Sequence, residues 1–234
     1  MSKEQTGSLI EQLNAPTKDQ RLAALRAIRA QVDAGMITQP ARGSDVNNHI
    51  HTIYSFSPYS PAKAVFRSWQ AGLMTTGIMD HDSIAGADEF IAAGKIIGIA
   101  TTVGVELRVS FAGTRLEGKR INNPDQATVT YVALHGIPHT VSDAVREFFV
   151  PICAARGARN RAMTTRLNDI LQLPQLVIDY DRDVLPNSLA SEGGSVTERH
   201  LLFAVARKMT QHFGRGAVLV DFLQQQLGVD VASG

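Results

Sequence analysis

The chain has one cysteine, Cys153, in 234 residues. A single thiol excludes a disulfide framework and any zinc site built from thiolates. Net charge is nearly absent, at +1. The chain therefore lacks the electrostatic grip on nucleic acid that a basic protein has, and with ordinary apolar content it does not read as disordered. No apolar run approaches the length of a membrane span. The opening MSKEQTGSLIEQL is polar and has no apolar stretch of the signal-peptide kind. There is no G-x-x-x-x-G-K-[ST] loop and no G-x-S-x-G elbow, so neither P-loop nucleotide hydrolysis nor serine-hydrolase chemistry has support. These absences predict a soluble, cytoplasmic protein without a membrane partner. Its length is enough to bury a core unaided.

What is present is an alternation. Residues 8–35 read as helix, with Leu22, Leu25, Ile28 and Val32 at helical spacing and Gly35 as a stop. The loop QPARGSD, 39–45, separates this expected N-terminal appendage, 1–43, from a main domain, 44–234. A strand near 45–50 leads into His49 and His51. A helix follows from Pro61, a residue suited to a first turn. "LMTTGIMDH" reads as a strand running into His81, and 84–93 as a second helix. "IGIATTVGVE" is a strand running into Glu106. After an irregular hairpin, "ATVTYVALH" runs into His135. One βα unit per 25–30 residues or so argues for a parallel sheet or barrel over 44–139. Beyond it, 140–228 reads as a mainly helical insertion. It carries the cationic run "RGARNRAMTTRLNDIL", the acidic loop "DYDRD", and a last helical region opened by Ser195 and Glu198 at capping-box spacing.

The candidate site follows from that alternation. His49 and His51, two residues apart on an extended chain, share one face. His81, Glu106 and His135 each fall at a predicted strand end. In parallel β/α folds the C-terminal strand ends share one edge, and that edge carries the site. Five potential ligands should therefore converge, and imidazoles with a carboxylate suit zinc, manganese or iron. A single strand-end histidine is more often structural, but four successive strands ending this way are hard to reach by accident. Asp80 could orient a ligand imidazole from behind. Asp82, in "DHDS", reads as the N-cap of the helix that follows.

The segments "NNHIHT", "GIMDHDS", "GVE" and "ALHG", in this order and spacing, resemble the PHP family of polymerase and histidinol phosphatase phosphoesterases. The resemblance covers about 45–136. It implies a distorted (β/α)₇ barrel, here incomplete at its C-terminal end, with two or three divalent ions. His49, His51, His81, Glu106 and His135 would be the ligands, the first four forming the catalytic centre. The implied reaction is hydrolysis of a phosphate ester, in a small phosphorylated substrate such as a nucleotide. A weaker likeness over "RNRAMTTRLNDIL" and "TERHLLFAVARKM" points Arg159, Arg161 and His200 toward the substrate phosphate. An exposed helix face is the plainer reading of the two arginines, and a partly buried histidine that of His200.

Two departures from the family stand out. Where the family places a ligand aspartate, five residues past the second histidine, this chain has Phe56. The late D-x-H ligand pair is also missing, and only His139, His200 and His212 follow His135. A fragment of a longer protein is the favoured explanation and a degenerate homologue the other. A barrel without its last strands would leave two long sheet edges open and would be less stable than a closed one. The alternatives to catalysis of this kind are a metal-binding, non-catalytic domain and an amidohydrolase-type metallohydrolase, whose barrels also open on H-x-H but carry a lysine ligand at a middle strand end.

Overall fold

The computed structural model describes residues 3–124 and 126–231, with side chains from Gly7 onward. Two helices come first, α1 (Lys3–Gln12) and α2 (Lys18–Asp33). The single helix expected over 8–35 is broken because Thr17 starts a new one. Its side chain caps the Gln20 amide, and the Gln20 side chain returns to the Thr17 amide. Then follow β1 (Val46–Ile50), α3 (Pro61–Gln70), β2 (Thr75–His81), α4 (Ala87–Ile97), β3 (Ala100–Ser110) and β4 (Val129–His135). The chain continues in α5 (Ser142–Leu171), several single helical turns, α6 (Glu198–Phe213) and α7 (Ala217–Leu227).

The strands form one curled, half-barrel sheet in the order β1-β2-β3-β4. β1, β2 and β3 are parallel, joined by crossover helices. β4 is antiparallel to β3, contrary to the parallel arrangement expected. The reason is local: the described residues between 111 and 128 contain no helix, and a strand reached by a hairpin must return antiparallel. Gly77 permits the close approach of β1 to β2, because a Cβ there would lie 2.8 Å from the Asn48 Cα. On the outer edge of β4, the Asn122 side chain donates to the Tyr131 carbonyl (2.8 Å) and accepts from the Tyr131 amide (2.9 Å). That edge is therefore occupied at its middle.

Contacts divide the chain into two compact units, 1–153 with 189–195 and 154–188 with 196–234. The N-terminal helices belong to the first unit, so the boundary expected at residue 43 is not a break in packing. Leu22, Leu25 and Ile28 of α2 share a core with Val65, Phe66 and Trp69 of α3, Phe90 and Ile97 of α4, and Ile78, Val103 and Val105 of the sheet. Inside this core Arg21 grips Glu89 with two hydrogen bonds, Nε to Oε1 at 2.8 Å and Nη2 to Oε2 at 2.5 Å. Their side chains are 4% and 2% exposed. The remaining capacity is used as well. Arg21 Nη1 donates to the Ala15 and Pro16 carbonyls, and Glu89 accepts the Ala62 amide. In the second unit Leu176, Ile178, Val184, Leu201 and Ala204 are buried, and the Asn168 side chain takes both backbone groups of Ile178.

Removing one partner of a buried, fully bonded pair strands the other charge. Arg21→Ala should lower unfolding free energy by about 3 kcal/mol or more. Urea denaturation checks this, with the midpoint falling and the slope held.

Candidate metal centre

The parallel register of β2 and β3 makes His81 the direct partner of Glu106. Residues opposite each other in a pleated sheet face the same way, so imidazole and carboxylate meet. His81 Nδ1 lies 3.2 Å from Glu106 Oε2. The H-x-H pair reaches the same oxygen from β1 and the residue after it. His51 Nε2 is at 3.5 Å and His49 Nε2 at 3.7 Å. The His51 and His81 rings stack at 4.7 Å, and His49 meets His51 edge-on at 5.1 Å. Glu106 and His81 are mostly covered, whereas the His49 side chain is 44% exposed. The cluster is thus open to solvent on the β1 side.

Ligand atoms of His49, His51 and Glu106 all lie within 4.8 Å of one another. Around a tetrahedral ion with ligand distances near 2.1 Å, neighbouring ligand atoms are about 3.4 Å apart. The observed 3.5 and 3.7 Å separations are close to that spacing. Two imidazoles and a carboxylate are a borderline donor set suited to zinc, manganese or iron. The residues present therefore fit a divalent cation. His81 adds a third nitrogen beside the same oxygen.

His135 is not part of this group. Because β4 runs antiparallel, His135 pairs with Gly104, two positions back along β3 from Glu106, and its side chain is exposed. Phe56 takes a left-handed φ of 76°, a region that a bulky side chain rarely adopts. Asp82 is not the cap of α4. It is buried with a φ of 47°, and α4 begins three residues past the expected start behind Gly86, which offers no side-chain cap.

Asp80 is fully buried, and its hydrogen bonds go to the segment after His51 and not to the His81 ring. It accepts from the Thr52 amide (2.6 Å), the Thr52 hydroxyl (2.6 Å) and the Ser55 hydroxyl (2.5 Å). Burial pushes its carboxyl above the usual range, and the Ser55 and Thr52 hydrogen bonds pull it back. Ser55 Oγ lies 3.3 Å from His51 Nδ1. Thr52 closes the segment NNHIHT, whereas Ser55 has no signal in the sequence beyond being a hydroxyl four residues after His51. A cavity of about 450 Å³ opens in the same unit from Asp82 and Ser83, the two residues after His81, and is walled by Ile84, Ala85, Phe149 and Val150.

The other expected substrate residues lie in the second unit and are engaged there. Arg159 pairs with Glu198 at 2.5 Å. Arg161 makes a two-pronged pair with Asp181 and sits 4.5 Å over the Tyr180 ring. His200 is buried at the third position of α6, where its Nδ1 accepts from the Thr197 amide at 3.0 Å. Thr197, not Ser195, caps that helix. Burial pushes the His200 imidazole down to about 4 from 6.5.

The sign of the His200 effect follows from that depression. The unfolded imidazole takes a proton near 6.5 and the folded one resists until about 4. Its contribution is therefore complete above the unfolded value and is lost as pH falls toward the folded one. Between about pH 7 and about pH 4.5, the wild type should lose roughly 2 kcal/mol more stability than His200→Gln, whose side chain can still accept the Thr197 amide. Urea melts of both proteins at the two pH values read the difference.

No family model matches the chain. A 5'-3' exoribonuclease of Haemophilus influenzae is 37% identical over 65 residues, which are 28% of this chain and 24% of that protein. Among solved structures, the chain resembles a protein of Bifidobacterium adolescentis whose metal-dependent phosphoesterase activity is itself an inference. The TM-score is 0.52 at 24% identity, over 80% of this chain and 56% of that one. It also resembles an amidohydrolase of Chromobacterium violaceum with bound sulfate and no metal, with a TM-score of 0.54 at 19% identity over 76% and 54% of the two chains. At these identities the likeness is one of fold, and the chain spans just over half the length of both structures whose mixed α/β fold it shares.

Proposed function

We propose that the chain is a metal-dependent hydrolase acting on a phosphate ester. The observation that carries this reading is the meeting of His49, His51 and His81 on one oxygen of Glu106. The matched exoribonuclease supports a phosphate ester over an amide. So do the end of β2 and the point where its pairing with β3 stops, which present His81 and Glu106 where the amidohydrolase class has a lysine.

His49, His51 and Glu106 would hold the first ion, and His81 would help hold a second beside the shared carboxylate. When bound there, divalent ions supply charge neutralisation at phosphoryl oxygens and acidify water. The chain's own part is to bind and orient. Glu106, nearly covered, places negative charge among three imidazoles. The open side at His49 admits the phosphate. The cavity beginning at Asp82 and Ser83 has the size of a small-molecule site, and would take the organic part of a nucleotide-sized substrate. A phosphate-binding role for Arg159 or Arg161 requires exchange of Glu198 or Asp181 for the substrate, because both guanidinium groups are already paired.

A second reading, a metal-binding domain without catalysis, has two observations in its favour. Phe56 stands at the family's aspartate position, and His135 stays outside the group.

Elemental analysis of protein purified without chelators should find at least one equivalent of zinc, manganese or iron. His51→Ala and Glu106→Ala should lose the metal and hydrolysis of nucleotide esters together. A folded Glu106→Ala protein that hydrolyses at the wild-type rate would sink the assignment. Metal without hydrolysis in the wild type would select the second reading. Because imidazoles must shed their protons to bind an ion, metal affinity should fall as pH drops through the histidine range. Equilibrium metal titration at several pH values measures it.

A further inference from the structure

We propose that Ser55, oriented by Asp80, fixes His51 as its Nδ1–H tautomer and so aims an Nε2 lone pair at the metal centre. The inference rests on the reading of His51 as a ligand, but its structural half stands on hydrogen-bond accounting alone. Ser55 has one hydroxyl hydrogen. As a carboxylate Asp80 can only accept, and three donors converge on it: the Thr52 amide, the Thr52 hydroxyl and the Ser55 hydroxyl. The Ser55 hydrogen, at 2.5 Å from Asp80 Oδ1, is therefore committed to the carboxylate. What Ser55 presents to His51 Nδ1 at 3.3 Å is a lone pair. Only an N–H on that ring nitrogen satisfies it.

The consequence lies at the opposite end of the ring. An imidazole protonated on Nδ1 carries its lone pair on Nε2. That nitrogen faces Glu106 Oε2 at 3.5 Å. Two acceptors so placed repel unless a cation lies between them. The buried carboxylate of Asp80 thus acts on the cluster without touching it, through a serine whose backbone is also fixed. The Ser55 amide donates to the Thr52 carbonyl at 2.9 Å. Ser55 and Asp80 are positioning residues. Free histidine side chains favour the other tautomer, with the proton on Nε2, which in this position would donate to Glu106 and compete with a metal. Partners behind a ligand imidazole typically change metal affinity by about 10- to 100-fold.

The test is nitrogen-15 NMR of the imidazoles in the full chain, stripped of metal by chelation, at a pH where His51 is neutral. His51→Gln identifies the signal. The expected result is a predominant Nδ1–H tautomer at His51. Ser55→Ala should move the population toward Nε2–H and weaken zinc binding by about 10-fold or more, and Ser55→Thr should restore both. A wild-type His51 found mainly as Nε2–H overturns the proposal. So does a tautomer ratio that Ser55→Ala leaves unchanged. Because the tautomer is read without metal or turnover, a protein that shows it but binds no ion would refute the metal assignment and leave the hydrogen-bond relay intact.

Discussion

The register between β2 and β3 is the constraint on which the cluster depends. His81 faces Glu106 only because Thr75 pairs with Ala100 and every following residue pairs in step. A slip by one position would send one of the two side chains to the opposite face. The register is held by burial. Ile78, Met79, Val103 and Val105 are nearly or fully buried, so a shifted strand would expose core and bury polar groups. The same apolar contacts that stabilise the first unit therefore set the spacing of its imidazoles and carboxylate.

β1 meets this frame by a different device. Its pairing with β2 is in step at Val46 and Asn47 and has shifted by Ile50. The irregularity lies just where His49 and His51 leave the sheet. An irregular strand end needs an external hold, and Asp80 supplies one by gathering the amide and hydroxyl of Thr52 and the hydroxyl of Ser55. Burying a carboxylate costs stability unless its acceptors are filled, and here the donors all come from the segment that carries His51. The cost of burial and the placement of that segment are aspects of one arrangement.

Much of the centre was legible in the sequence. His49, His51 and His81 sit at or just past strand ends, and these share an edge in the parallel part of a β/α sheet; Glu106 joins them not at the end of β3, which runs on to Ser110, but where its pairing with β2 stops. His135 belonged to the same pattern but not to the same geometry, because strand direction depends on whether a helix intervenes, and the described residues between 111 and 128 supply none. Asp82 read as a cap because it precedes a helix by a few residues, yet its backbone turns left-handed and the helix starts later. The place of the N-terminal helices was hidden for a different reason. The tie between Arg21 and Glu89 spans 68 positions, and no local pattern announces a pairing at that distance. Ser55 was invisible because a serine in a loop carries no signal until a buried carboxylate is found beside it.

The side chain of Asn122 lies along Tyr131 as a short imitation of a neighbouring strand, one amide group long. It therefore limits where a further strand could pair along this edge. Another strand cannot zip along β4 from end to end, because at Tyr131 both outward backbone groups are already spoken for. Any segment that widens the sheet on this side must either evict Asn122 or join beyond it, past Val132 and Leu134. The hairpin loop thus covers part of an edge on which Val132 and Leu134 are exposed, and a covered edge is a poorer template for strand pairing.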